Sequence, residues 1–366
     1  MRNLYEVLEK LCLAPAPSGY EKNSASAFAG LIKPYANEVR VDKMGNVIAR
    51  IDGTVEHART VMAYAHMDQL GFIVRKIERN GFIQVDRLGG IPEKILPALR
   101  LVIRNKDGRF VPAVFGNKAH HSATAEEKYK VDVVTSLYID VGASSAEEVY
   151  EMGIDIGCPA IYEPRLSRLG RDKVCGTALD DRGGLAALVC AAEILHGSRP
   201  DCTTYLVGTI WEEFNIRGAA FAARSIRPDI ALGLDVALAG DTPDLEKNYP
   251  DMLGKGPTVN LYNFHGRGTL NGMIPNERLV TLAEKSAEEA GIPHQRFASL
   301  GIITESAYIQ MECDGIACLD FGFPARYTHS PIETCALPDI ENLGKLVAAT
   351  ISNIAADMDI SRYRIE

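Results

Sequence analysis

The chain has 366 residues, suited to about two domains, with 46% hydrophobic and 24% charged residues, the composition of a soluble globular protein. A net charge of −9 argues against nonspecific nucleic-acid binding, which needs Lys and Arg to neutralise phosphate. No apolar run approaches the roughly 18 residues of a membrane span, and Glu6 and Glu9 interrupt the apolar pattern that a signal peptide would keep unbroken. A cytoplasmic protein with neither nucleic-acid nor membrane partners is therefore expected.

In chain order, a first helix is expected near Leu4–Cys12, with Tyr5, Leu8, Leu11 and Cys12 on one face. APAPSGYE ends it, and Ser18 with Glu21 reads as a capping box opening a second helix toward Ile32. NEVRVDKMGNVIARIDG reads as two strands around a turn at residues 43–46. RTVMAYAHMDQLGFIV is a buried strand, a polar break at residues 66–69, and a second apolar run.

Residues 71–164 have a different texture: short strands split by Gly, Asn-Gly and Asp-Gly turns, with one short helix in SSAEEVYEMG. This reads as a small barrel-like β domain. After Lys173, helices and strands alternate: DDRGGLAALVCAAEILHG, TTYLVGTIWEE, GAAFAARSI, DIALGLDVAL, NERLVTLAEKSAEEAGI, GIACLDFGF and a last helix from Leu337. Alternation of this kind predicts a three-layer α/β domain with a mainly parallel central sheet. The expected architecture is one α/β domain, residues 1–70 and 165–366, interrupted by an inserted β domain, residues 71–164.

Eight scattered cysteines include no C-x-x-C pair and lie mostly in apolar runs, which reads as buried free thiols. Cys313 and Cys318 have no second pair to complete a zinc site.

Ligands in open α/β sheets gather beyond the carboxyl ends of the strands. There this chain places His66 and Asp68, Asp180 and Asp181, Glu212 and Glu213, Asp235, and His329. One aspartate at a strand end is an ordinary helix cap. Five separate segments delivering acid or imidazole to one rim are not explained by capping. Clustered carboxylates in a poorly solvated cleft disfavour joint ionisation, so a cation is required among them. Imidazole with carboxylate suits Zn, Co or Mn, and metal pairs recur in hydrolytic sites. His66, Asp180, Glu213, Asp235 and His329 are taken as ligands, with Asp180 bridging. Three carboxylates and a hydroxide would balance two divalent ions. Asp68, on the His66 side of an extended HMD, would orient that ring. Glu212, pointing to the other face of its strand from Glu213, would be the general base.

AHMDQLGFIV, ALDDRGG, IWEEFNIRGA, GLDVALAGDTP and PARYTHSPIE resemble, in order and spacing, the tetrahedral aminopeptidases, the glutamyl and leucyl members of the dinuclear zinc-peptidase clan. The resemblance runs from Ser18 to the last helix. It implies a peptidase that releases N-terminal residues from short peptides with two Zn or Co ions. It also implies Glu212 as base, Asp68 as orienting acid, a cis Asp180–Asp181 peptide, and dimerisation through the inserted β domain. Six dimers would form a tetrahedral dodecamer that admits only unfolded peptides. Three positions depart from the pattern. Trp211 stands where Gln precedes the paired glutamates, and Asn215 where Gly follows them. GIITESA, with Thr304 and Glu305, stands where relatives have Gly-Thr-Asp-Ala. Trp211 is expected to narrow the pocket and Glu305 to alter substrate preference.

An aminoacylase or deacetylase of the same clan would use the same metal pair on another amide. A glycosidase would leave His66 and His329 without a role. An inactive assembly protein would be expected to have lost a ligand or the base, and none is lost.

Overall fold

The computed structural model describes residues 3–266 and 271–363. Its main sheet has a parallel core of four strands, ordered Thr203–Thr209, Thr60–His66, Ile230–Leu238 and Ala317–Arg326. Antiparallel strands flank this core. Val47–Ile51 and Glu38–Val41 lie on one side, and Glu333–Ala336, Lys173–Gly176 and Leu166–Leu169 on the other. Thr258–His265 joins antiparallel to Ala317–Arg326 and carries two further strands, Asn271–Met273 and Gln295–Leu300.

The parallel strands are apolar because helices cover both of their faces. In Thr60–His66 the alternation is clean. Val61, Ala63 and Ala65 enter the large core beneath helices Leu4–Cys12, Lys22–Ile32, Leu179–Gly197, Glu277–Glu289 and Leu337–Ser352. Met62 and Tyr64 pack on the opposite face with Ala219, Ala222 and Ala223 of helix Gly218–Ile226. This is the three-layer arrangement. Leu179–Gly197 is buried nearly all round, and its small residues let the sheet and neighbouring helices approach closely.

Between Gly71 and Tyr162, six strands close into a barrel in the order Gly71–Ile77, Ile83–Leu88, Ile139–Asp140, Phe110–Phe115, Arg100–Arg104 and Pro159–Tyr162. Its interior is filled by Phe72, Val74, Val85, Leu101, Ile103, Phe115, Ile139 and neighbours.

The first helix buries Leu8, Leu11 and Cys12 as expected, with Val7 beside them, and the half-buried Tyr5 packs on the same core under the Arg168 guanidinium at 4.2 Å. Two local expectations are corrected. The Ser18/Glu21 capping box does not form. The Ser18 hydroxyl donates to Asp68 Oδ2 at 2.6 Å, and Glu21 accepts from the Gly19 amide at 2.7 Å. The strand leading to the paired glutamates ends at Thr209. Trp211 has a φ of 56°, which turns the chain, so Glu212 and Glu213 do not lie on opposite faces of an extended strand.

Candidate active site

The parallel topology brings His66, the Glu212–Glu213 turn, Asp235 and His329 to one edge, because each lies in or just beyond one of the four core strands. Asp180 arrives from the start of helix Leu179–Gly197, where the backbone is not yet helical and the Asp180–Asp181 peptide is cis. Asp180 lies between the two histidines. Its Oδ1 is 2.9 Å from His66 Nε2, and its Oδ2 is 3.6 Å from His329 Nε2. Glu213 Oε2 is 3.9 Å from His329 Nε2, and Glu212 Oε2 is 4.0 Å from His66 Nε2. Ligand atoms of His66, Asp180 and Glu213 lie within 4.8 Å of one another. Asp235 lines the same cavity as Asp180, Glu212, Glu213 and His329, a space of about 480 Å³.

Asp68 sits beyond the end of its strand, so strand alternation is not what places it. Its carboxylate accepts from Ser18 Oγ and from the Glu212 and Glu213 amides at 2.6, 3.0 and 3.1 Å. Held there, Oδ1 is 3.6 Å from His66 Nδ1, while the Asp68 carbonyl is nearer, at 3.1 Å. Asp68 therefore touches both the imidazole and the turn that carries the paired glutamates.

The electrostatics describe a site short of positive charge. Burial, then repulsion from Asp180, pushes the Glu213 carboxyl well above its ordinary range. Burial and Asp180 do the same to Asp235. Glu212 is also raised well above the ordinary range by burial, against the pull of His66 and with repulsion from Asp235 and Glu213. Burial opposes charge on His66, but hydrogen bonds to Asp180 and Asp68 outweigh it and raise the imidazole. Against its own burial, Asp180 is lowered by the same contact. Glu213 Oε1 is buried and has no hydrogen-bond partner among the described residues. A buried carboxylate oxygen is rarely left without a partner, and a divalent cation would supply one while reversing the repulsion. The donor set fits such an ion.

Three further residues support the site: Asp181, which the sequence placed at the rim without a role, and Arg182 and Glu333, which it did not single out. Asp181 turns its carboxylate to the His66 and Gly184 amides at 3.3 and 3.0 Å. Arg182 is fully buried and donates to the carbonyls of Leu11, Met67 and Asp68 and to the Gln69 side chain, pinning the polar break after the His66 strand. Glu333 accepts from the Asp180 and His329 amides at 3.1 and 2.8 Å, joining two distant ligand candidates through their backbones. For Arg182 and Glu333, a charged residue inside an apolar run and an acid four positions after His329 were the only signals.

Two departures act elsewhere than expected. Trp211 does not line the cavity; it packs on the main core. Thr304 and Glu305 are also absent from the cavity wall, which is formed there by residues 301–303. Thr304 Oγ1 donates to Asp320 at 2.5 Å, and Glu305 accepts from Thr209 Oγ1 and the Ala219 amide. Asn215 has a φ of 76°, which asparagine tolerates better than most residues.

Known proteins match this chain along most of its length. The family model of the M42 glutamyl aminopeptidases matches residues 45–346. The lysyl aminopeptidase of Pyrococcus furiosus (strain ATCC 43587 / DSM 3638 / JCM 8422 / Vc1) is 32% identical over 353 residues, 96% of this chain and 97% of the relative. The structure of aminopeptidase APDkam598 from the archaeon Desulfurococcus kamchatkensis superposes with a TM-score of 0.89 at 34% identity, over 95% of this chain and 94% of that one. The Pyrococcus horikoshii TET1 peptidase, described as assembling into a tetrahedron or a large octahedral shell, superposes with a TM-score of 0.83 at 28% identity, over 95% and 99%. With a match this long in sequence and an acid-and-imidazole rim at the sheet edge, the chain belongs to the M42 glutamyl aminopeptidase family.

Proposed function

We propose that this chain is a metal-dependent aminopeptidase that cleaves the N-terminal residue from short peptides. His66, Asp180, Glu213, Asp235 and His329 would hold two divalent ions, Zn or Co with Mn as a further fit, and Asp180 would lie between them. Bound there, such ions supply positive charge at the reacting amide and lower the pKa of water toward neutrality. Glu212 takes the proton from the attacking water on its carboxylate and delivers it to the departing amine. Asp68 holds the His66 ring through Nδ1 and fixes the backbone of both glutamates. The substrate's first residue occupies the cavity walled by Ile216, Val236, Leu238, Ile302 and Ile303.

One observation carries this reading: Asp180 offers its two oxygens to two different histidines beside a glutamate oxygen that has no partner among the described residues. The test is a metal-supplemented assay over free-amine peptides and N-acylated amino acids. Hydrolysis of the free-amine series is expected, and activity confined to the acylated series would overturn the reading.

The division into a catalytic part (1–70 and 165–366) and an inserted dimerisation part (71–164) belongs to the same proposal, as do a cytoplasmic setting and assembly to a dimer and a tetrahedral dodecamer. The assembly described for the Pyrococcus horikoshii protein supports self-association. Removing residues 71–164 should leave small species on a sizing column; an intact large particle would refute the assembly role.

A further inference from the structure

Residues 210–218 leave the end of strand Thr203–Thr209, carry Glu212 and Glu213, and return to the start of helix Gly218–Ile226. The loop is nearly closed at its base. A Cβ placed on Gly218 would lie 1.8 Å from the Ile210 carbonyl oxygen, so only glycine lets the two ends pass.

Two side chains from distant segments bridge that base. Asn46, from the turn before strand Val47–Ile51, accepts from the Ile210 amide through Oδ1 at 3.1 Å and donates from Nδ2 to the Gly218 carbonyl at 3.1 Å. Nδ2 also donates to Asp42 at 2.8 Å, so the partners fix which way the amide faces. Glu305, just before helix Ser306–Ile309, repeats the bridge one residue further out on each side. Its Oε2 accepts from Thr209 Oγ1 at 2.6 Å and its Oε1 from the Ala219 amide at 2.9 Å. Both residues are buried. Within the loop, the Ile216 amide donates to the Glu212 carbonyl at 2.8 Å and the Arg217 amide to the Trp211 carbonyl at 3.2 Å. Trp211, Asn215 and Ile216 all have positive φ, a conformation that persists only where the surroundings impose it.

We propose that Asn46 and Glu305 form a double clamp on the base of this loop and are positioning residues for Glu212 and Glu213. Neither lines the cavity, so each acts through the loop. Asp68 fixes the middle of the loop and the clamp fixes its ends; with the ends free, the paired carboxylates lose their common register. Small displacements of a positioned group cost much of its catalytic effect. The consequence for turnover rests on the reading of Glu212 as base; the consequence for the loop does not.

The test uses the full chain with Asn46→Ala, Glu305→Ala and Glu305→Gln, read by kcat and KM and by hydrogen exchange of peptides covering 209–219, with and without added Zn. Glu305→Gln can still accept from the Ala219 amide and donate to Thr209, so it should restore most of the turnover. Each alanine variant should lower kcat by roughly ten- to a hundredfold with little change in KM, and exchange should rise within 209–219 alone, with or without Zn. Should Glu305→Ala fail to fold, Glu305→Leu, which fills the space but accepts from neither partner, takes its place. Unchanged exchange in 209–219, or a rise spread over the whole sheet, would overturn the clamp. Near-normal turnover of Glu212→Gln would instead remove the base assignment and leave the exchange result to decide the clamp.

Discussion

In the barrel, Phe72 packs edge-on against Phe115 at 5.1 Å and Tyr162 at 5.9 Å. The buried amide Asn105 there accepts from the Arg109 amide and donates to the Met152 carbonyl, at 2.9 Å each. At the carboxyl edge of the main sheet, several acids from different segments line one cavity, and one Glu213 oxygen has no partner among the described residues. Both regions are well buried, but among the described residues the barrel leaves only the neutral Tyr162 hydroxyl without a partner, whereas the rim leaves a carboxylate oxygen. Burying a carboxylate without compensation costs stability, so a fold keeps such an arrangement only where something else completes it.

The largest expected effect attacks the acid cluster at its centre. Asp180→Ala should lose both metal ions by elemental analysis and reduce turnover to background; retained stoichiometry would break the view that this carboxylate is shared. Glu212→Gln should keep the metal content and lower kcat by about 10²–10⁴-fold, the usual range for a general acid–base group. Loss of metal in that variant would make Glu212 a ligand instead. Phe72→Ala should destabilise the protein by about 3–5 kcal/mol in denaturant unfolding, as for other buried aromatics, while the folded fraction keeps its kcat. A change in KM or metal affinity would show that the barrel interior and the site are coupled.

The smallest effect concerns Asp251, a buried acid outside the cluster. Neither of its oxygens accepts a hydrogen bond from another described residue, and burial, with Asp241 nearby, raises it from 3.8 to about 7. Because its folded pKa lies above the unfolded one, the native state holds the extra proton between these values. Stability should therefore fall as pH rises from about 4 to about 7. Asp251→Asn should raise Tm at pH 8 and change it little at pH 4; equal shifts at both would show that charge is not the cause.

The doubly covered strands were legible because their apolar runs are short and bounded by polar residues, and those polar residues marked the rim. Strand Thr258–His265 was not read, because Asn260 and Asn263 break its apolar pattern. Their use is visible only in three dimensions, where Asn263 donates to Thr304 and Asp320. Trp211 read as a continuation of its strand because a positive φ on a bulky residue leaves no trace in residue type. Glu305 read as a pocket residue because sequence gives its neighbours along the chain, whereas its hydrogen-bond partners Thr209 and Ala219 lie some ninety residues earlier. Arg182 and Glu333 were obscure for the same reason: each ties together main-chain groups from remote segments.

The His66 strand lies between Thr203–Thr209 and Ile230–Leu238, both made much later in the chain. During synthesis it must wait, with neither flank paired, while more than a hundred further residues, the barrel among them, emerge. Premature termination anywhere before Thr203 would yield a fragment with an unpaired apolar strand and no hydrolytic centre, a substrate for quality control rather than a partly active enzyme.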